Sequence, residues 1–358
     1  MFLDLPIWLS TLLAALTAAI LSFLLTPPVK KLAERVGAID MPGDKRRVHS
    51  LPVPRMGGLA IFSSFVVSVV LFAGISEPIM GMLTGATLVA FMGAIDDIAG
   101  LRPITKFLVQ IVAAFIAYRC GAVVDVLSNP VFFSDKTFFN IEMISLPVTL
   151  IWIVGCTNAV NLIDGLDGLA AGVSAISSAA MFFVAMSVAE SDPVTALMFA
   201  ALTGACLGFI PYNTNPARIF MGDMGAQVLG YLLGVISIIG MFKLHAIVTF
   251  IIPILALAVP LADTAFAFFR RILKGQSPFK ADRGHIHHLL LDTGMNQKQV
   301  VFSLYGFSAA LGVCAVIMAN CHRPGKIITL AVALAISVTA VVFLVISKKK
   351  NGKGGEKE

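Results

Sequence analysis

Charge is what this sequence has least of. Only 13% of its 358 residues are charged and 58% are hydrophobic, whereas a soluble domain is nearer 25% charged. That scarcity excludes an ordinary water-soluble fold. Cysteine is also scarce. The five residues Cys120, Cys156, Cys206, Cys314 and Cys321 form no CxxC pair, which excludes a disulfide framework and a cysteine zinc site. Neither a P-loop nor a GxGxxG turn occurs, so any phosphate must be held without those glycine cradles. No HExxH precedes the histidines, which argues against zinc. The N-terminus carries Asp4 and no basic cluster, and its apolar run is too long for a signal-peptide core; it reads as an uncleaved first span. The short alternating segments of a β-barrel are missing. The net charge of +6, in so apolar a chain, fits cytoplasmic loops facing anionic lipid rather than nucleic acid.

What is present is a series of long apolar runs. Eleven are expected to span a membrane as helices, at about 7–27, 56–74, 79–95, 106–122, 146–163, 168–189, 194–210, 224–241, 246–270, 299–319 and 326–347. The fold expected is an all-α integral membrane bundle, one polytopic domain over 1–347 with a basic, solvated and disordered tail over 348–358. An odd number of spans puts the termini on opposite sides. With the N-terminus outside and the C-terminus cytoplasmic, only Arg119, Lys136, Lys243, Arg323 and Lys326 of the 26 basic residues lie outside, as the positive-inside rule requires. The outer segment 123–145, with "VVDVL" and "TFFNI" around Asn129–Pro130, reads as a small hairpin.

The unusual polar clusters fall at expected cytoplasmic helix ends or loops. They are "KRRVHSLPVPRMGG" (45–58), "GAIDDIAG" with Asp96 and Asp97, "NAVNLIDGLDGLA" (158–170), "FMGDMGAQ" with Asp223, and "DRGHIHHLLLDTG" with His285, His287 and His288. Such one-sided placement points to a single site at the cytoplasmic membrane face. A carboxylate at mid-bilayer costs at least about 2.5–3.5 kcal/mol. Several at a membrane edge are tolerable if they face water, pair with a base or bind a cation. Carboxylate and carbonyl oxygens suit hard Mg²⁺, which in turn implies phosphates.

Within "NAVNLIDGLDGLA" helical spacing makes neighbours of Asn158 and Asn161, and of Asp164 and Asp167. Gly165 and Gly168 allow the backbone to unwind or a ligand to come close. Lys106 is the nearest counter-charge in sequence to Asp96–Asp97. The histidines beside Arg283 are read either as phosphate-holding donors or as an interfacial loop feature. Asp263, two turns before Arg270, reads as a paired or hydrogen-bonded structural group. The basic stretch Lys30–Arg55 has a lipid-anchoring alternative.

At these motifs the chain resembles the polyprenyl-phosphate N-acetylhexosamine-1-phosphate transferases, the MraY–WecA–TagO family. The resemblance covers nearly the whole length. It rests on "PRMGG", "DD", "NAVNLIDGLDGLA", "FMGDMGA" and "DRGHIHHLL" in family order, and the forms from His49 to Gly58 and at "DRGHIHH" are similar to the WecA/TagO branch. Gly100 stands where members of that branch often carry a third acid. The resemblance implies transfer of N-acetylglucosamine 1-phosphate from UDP-N-acetylglucosamine to undecaprenyl phosphate, releasing UMP, in a bacterial cytoplasmic membrane. It implies Mg²⁺ as cofactor, with Mn²⁺ as a substitute. Nucleic acid is not an expected partner, and a homodimer is left open.

Carried over motif by motif, the resemblance makes Asp223 a metal ligand assisted by Asn161. Asn158, Asp164, Leu166 and Asp167 shape the uridine pocket with Phe220 beside it. Asp96 and Asp97 prepare or position the lipid phosphate, with Lys106 nearby. His285, His287, His288 and Arg283 hold the diphosphate or sugar side, and His49 and Arg55 contribute from the basic loop. Whether Asp97 is a base, a positioning group or a nucleophile is open at this point. The peptidoglycan phospho-N-acetylmuramoyl-pentapeptide transferase is the alternative within the family. A membrane transporter, the rival of another class, would want mid-membrane ionisable groups and paired repeats. The CDP-alcohol phosphotransferases would want an Arg soon after "DG", and "DGLDGLAAGVSAISS" has none.

Overall fold

The computed structural model describes residues 6–42, 51–124, 126–128, 138–140, 142–187, 192–240, 251–273, 275 and 285–352. The chain opens with α1 (Ile7–Val36), stopped by Gly37 in a left-handed cap, and a two-strand clip of β1 (Ile39–Asp40) and β2 (Val53–Pro54). Then come α2 (Gly58–Phe72), α3 (Glu77–Ala99) and α4 (Pro103–Arg119). An antiparallel pair, β3 (Val126–Ser128) and β4 (Phe138–Asn140), realises the expected hairpin. The helices α5 (Ser145–Ile163), α6 (Leu169–Ser187), α7 (Pro193–Asn213) and α8 (Gly222–Gly240) follow. The last are α9 (Ile251–Ala256), α10 (Ala258–Leu273), α11 (Ile286–Leu291), α12 (Gln297–Asn320) and α13 (Arg323–Gly352).

Seven of these helices are long and apolar enough to cross a membrane, namely α1, α3, α5, α6, α7, α8 and α12, and α2 and part of α13 are shorter apolar helices. The protein is a multi-pass, all-α membrane protein. Every expected apolar run carries helix, with two departures. The run 246–270 is broken in two, and its residues 246–250 lie outside those described. Pro260 has no N–H to give the carbonyl of Ala256 four residues back, so the helix parts there. The Ser177 hydroxyl of α6 donates to that carbonyl at 2.6 Å instead. At the C-terminus α13 continues to Gly352, past the expected start of a disordered tail; lysines are good helix formers and simply extend it.

α8 sits at the centre, buried along almost its whole length. It packs against α3 and α5 and more lightly against α2. A helix apolar all round belongs inside a bundle. Elsewhere α7 lies along α1, where added methyls at Gly204 and Gly208 would strike the backbone carbonyls of Ala15 and Ala19. Such small residues let helices approach where lipid offers no hydrophobic drive to associate. Ser68 of α2 adds a hydrogen bond to the carbonyl of Ala14 at 2.7 Å. The consequence for function is positional: α8 is fixed by its neighbours, and its first turn is the centre of the polar end.

Candidate active site

α8 starts at Gly222 with φ 74°, a left-handed conformation that suits glycine. A side chain there would also collide with the Asp97 carboxylate. Asp97 stands so close because it caps α8 from another helix. Its Oδ1 accepts the Asp223 N–H at 2.9 Å and its Oδ2 the Met224 N–H at 3.2 Å. The first N–H groups of a helix lack partners within it, and a carboxylate there also meets the positive end of the helix dipole. Asp97 thereby ties the end of α3 to the start of α8 and fixes the backbone of Asp223.

Three donors converge on Asp223 Oδ1: Asn161 Nδ2 at 2.8 Å, Gln227 Nε2 at 3.4 Å and Lys106 Nζ at 3.5 Å. The Asp96 carboxyl also lies within hydrogen-bonding reach of the Asp223 carboxylate. Lys106 also pairs closely with Asp96, whose other oxygen accepts the Leu101 N–H at 2.6 Å and closes the turn into α4. Side chains from α3, α4, α5 and α8 thus meet at one point. Asp164 follows the end of α5 beside them. Burial first, then the charges of Asp223 and Asp97, push its carboxyl up to about 8, and the Arg55 guanidinium pulls the other way. Arg55 pairs with Asp40 at 3.4 Å. The motifs around Arg55 and Phe220 run side by side, with the Gly57 N–H on the Phe220 carbonyl and the Phe220 N–H on the Pro54 carbonyl, both at 2.9 Å.

The other expected site residues lie around this cluster. Asp167 Oδ2 accepts Asn215 Nδ2 at 2.9 Å and the Ala217 N–H at 3.0 Å, which holds the loop between α7 and α8. Leu166 is buried. Asp263, 1% exposed, accepts the Ile286 N–H at 2.6 Å and faces His285 Nδ1 at 2.8 Å. It is a paired structural group, and its partner is His285; the Arg270 guanidinium lies 5.5 Å over the Phe266 ring. His287 lies 5.9 Å from the His285 ring and 4.4 Å from that of His288, and Gly165 leaves no room for a methyl beside it. The histidine motif therefore packs on the "NLIDGLDG" loop. His49 and Arg283 lie outside the described residues.

The family model for glycosyl transferase family 4 matches residues 79–241. Over 335 residues the chain is 36% identical to a probable undecaprenyl-phosphate N-acetylglucosaminyl 1-phosphate transferase of Bacillus subtilis (strain 168), covering 93% of this chain and 90% of that protein. The chain belongs to the polyprenyl-phosphate N-acetylhexosamine-1-phosphate transferase family. A family member from Mycobacterium tuberculosis, a decaprenyl-phosphate N-acetylglucosaminephosphotransferase, is 34% identical over 93% of this chain and 89% of its own length. A phospho-N-acetylmuramoyl-pentapeptide-transferase of Staphylococcus epidermidis is 30% identical over 80% of this chain and 92% of its own.

The sequence reading of this family member missed four polar side chains. Gln110 and Gln227 follow Lys106 and Asp223 at helical i,i+4 spacing, a signal that was available. Asn215 bridges Asp167 and Gln297, and the Tyr305 hydroxyl donates to the Gly168 carbonyl at 2.5 Å; neither has a local signature. One pH effect follows from the histidines. Burial, then the neighbouring His288, lowers the His287 pKa to about 4, against the pull of Asp263. The fold favours the neutral ring, so its contribution is present above the unfolded value near 6.5 and is lost as pH falls toward 4, by about 1.4 kcal/mol per unit at most. In detergent micelles the thermal midpoint of wild type should fall more steeply between pH 6.5 and 4.5 than that of His287→Gln. Parallel curves would refute this.

Proposed function

We propose that the protein transfers N-acetylglucosamine 1-phosphate from UDP-N-acetylglucosamine to undecaprenyl phosphate, giving undecaprenyl-diphospho-N-acetylglucosamine and UMP. This is the first membrane step of a bacterial cell-envelope glycopolymer such as wall teichoic acid or O-antigen. The observation that carries the reading is the 36% identity, over 93% of the chain, to a relative named for that transfer. The acidic groups gathered around Asp223 supply its chemistry. An oxygen of the lipid phosphate attacks the β-phosphorus of the nucleotide sugar. The bond from that phosphorus to the bridging oxygen breaks, and the electron pair leaves on UMP. One phosphoanhydride replaces another, so the step is near-balanced and reversible.

Mg²⁺ belongs to this reading, with Mn²⁺ as substitute, and the donor set fits a hard cation. Lys106 and Arg55 are the cations that act most strongly on Asp96, Asp97, Asp164 and Asp223. Asp223 and the amide oxygen of Asn161 would hold the ion. Such an ion would take its remaining ligands from phosphate and water. When bound, Mg²⁺ would neutralise charge on the diphosphate and the departing UMP. Lys106, between Asp96 and Asp223, places a fixed positive charge where the phosphates meet. Asp97 acts through the α8 backbone, by keeping Asp223 in place. The "NLIDGLDG" loop with Asn158, Asp164, Leu166 and Phe220 offers the uridine side, and the histidine motif packed on it offers the sugar side.

The membrane topology proposed is eleven crossings with the N-terminus outside and the site on the cytoplasmic face. Cysteines placed in a cysteine-free background check it. Met143, 99% exposed, lies on the expected outer side, and Arg102 leads into α4 beside the site. Met143→Cys should react with an impermeant thiol reagent in intact cells, and Arg102→Cys should not. The reverse pattern would invert the protein and put the site outside.

The donor is tested by offering UDP-N-acetylglucosamine and the UDP-N-acetylmuramoyl-pentapeptide at equal concentration, with undecaprenyl phosphate and Mg²⁺. Consumption of the first with release of UMP is expected. Preference for the second would move the protein to the peptidoglycan branch, represented by the 30% identical Staphylococcus relative. No UMP from either would overturn the proposal.

A further inference from the structure

Two buried glutamines have no part in the reading above. Gln110 is 2% and Gln227 is 1% exposed. Gln110 Nε2 donates to Gln227 Oε1 at 2.8 Å, and Gln227 Nε2 reaches Asp223 Oδ1 at 3.4 Å. At the other end Asn158 Nδ2 donates to Gln110 Oε1 at 2.7 Å and to the main-chain carbonyl of Val154 at 2.8 Å. Three amides from α5, α4 and α8 therefore form one chain that ends on the central carboxylate.

The chain has a direction, and its ends impose it. An ionised carboxylate only accepts, and so does a main-chain carbonyl. Gln227 must therefore turn its NH₂ to Asp223, which leaves its oxygen facing Gln110. Gln110 must donate to that oxygen, which leaves its own oxygen facing Asn158. Asn158 must donate both to Gln110 and to Val154, so its oxygen is the outward end. Turning any one amide over would set donor against donor or acceptor against acceptor. For stability alone this is a poor arrangement. Methionine at both positions would fill similar space and leave Asn158 its bond to Val154 and Asp223 its donors Asn161 and Lys106, and removing both partners of a buried hydrogen bond is often nearly neutral.

We infer that Gln110 and Gln227 are positioning residues for the metal-binding and donor-binding groups. Gln227 joins Asn161 and Lys106 in holding Asp223 Oδ1, and so fixes how the carboxylate is presented to the cation. Gln110 passes the same constraint to Asn158 and keeps its carbonyl oxygen forward. A metal ligand and a donor-binding amide, on different helices, are thereby held in one relative setting. The inference rests on the proposed role of Asp223 as a metal ligand.

The test compares purified wild type, Gln110→Met, Gln227→Met and the double variant without substrate. Mn²⁺ binding is read from the paramagnetic resonance of the free ion, and the thermal midpoint is measured alongside. Each single variant should bind Mn²⁺ about tenfold more weakly, in the range for groups that orient ligands. The double variant should lose the same factor rather than its square, because the two residues act as one unit, and it should keep its thermal midpoint. A double variant that binds like wild type overturns the inference, and so do single losses that multiply. If the double variant does not fold, Gln110→Met alone decides, because the hydrogen bonds of Gln110 run to Gln227 and Asn158 and not to Asp223 or Asn161. Weakened binding there supports the chain, and unchanged binding overturns it. Wild type that takes up no Mn²⁺ overturns the metal reading and this inference together; binding by wild type and variants alike overturns this inference alone.

Discussion

Asp223→Asn should lower UMP release by about 10³-fold and leave the helix bundle folded. The exchange keeps the shape of the side chain and one oxygen. Asn161, Gln227 and Lys106 can still donate to that oxygen, as they do to Oδ1 at 2.8, 3.4 and 3.5 Å. Only the negative charge and the second oxygen are lost, and these are what a hard cation needs. The side chain is 24% exposed, so its new NH₂ can find water, and the thermal midpoint should stay near that of wild type. Chelation of wild type with EDTA should give the same loss of turnover, reversed by added Mg²⁺. Near-normal turnover of Asp223→Asn at saturating Mg²⁺ would remove Asp223 from the metal. A folded variant with normal EDTA sensitivity would point the same way.

The frame of this site was readable in the sequence because it depends on local chemistry. Apolar runs bounded by glycine, proline and charge become helices wherever they occur, and every expected run carries one. Gathering the polar clusters at one end needed only the charge asymmetry of the loops. What the sequence did not disclose depends on which helices touch. Asp97 and the two N–H groups it caps are more than 120 residues apart, so nothing local marks it as a helix cap rather than a free carboxylate. Asp263 has a cation two turns away in Arg270, yet its partner is His285 across a loop. Asp167 looks like Asp164 in sequence, but the α7–α8 loop claims it. The break at Ala256 was legible in Pro260; the hydroxyl of Ser177 that makes it tolerable was not.

Asp97→Asn should lower turnover by about 10²-fold, and the loss should not be recovered at high pH. Both carboxylate oxygens are already engaged, one on the Asp223 N–H and one on the Met224 N–H. Neither can take a proton without weakening the cap. Nor is there much to abstract, because a phosphate monoester has a second pKa near 6 and is mostly dianionic at pH 7. An asparagine amide must turn its NH₂ toward one of the two backbone N–H groups, which pushes the first turn of α8 and Asp223 away from the phosphates. If the role is positional, the ratio of variant to wild-type turnover does not rise from about pH 6 to 8. If Asp97 were a general base, that ratio would climb as solvent removed the proton in its place. Gly222→Ala gives an independent probe, since its methyl would strike the Asp97 carboxylate from a residue with φ 74°. It should lower turnover without recovery at high pH, with every ionisable group retained. A ratio that climbs with pH, or a phosphoryl group recovered on Asp97 of wild type, would show that the carboxylate does chemistry of its own.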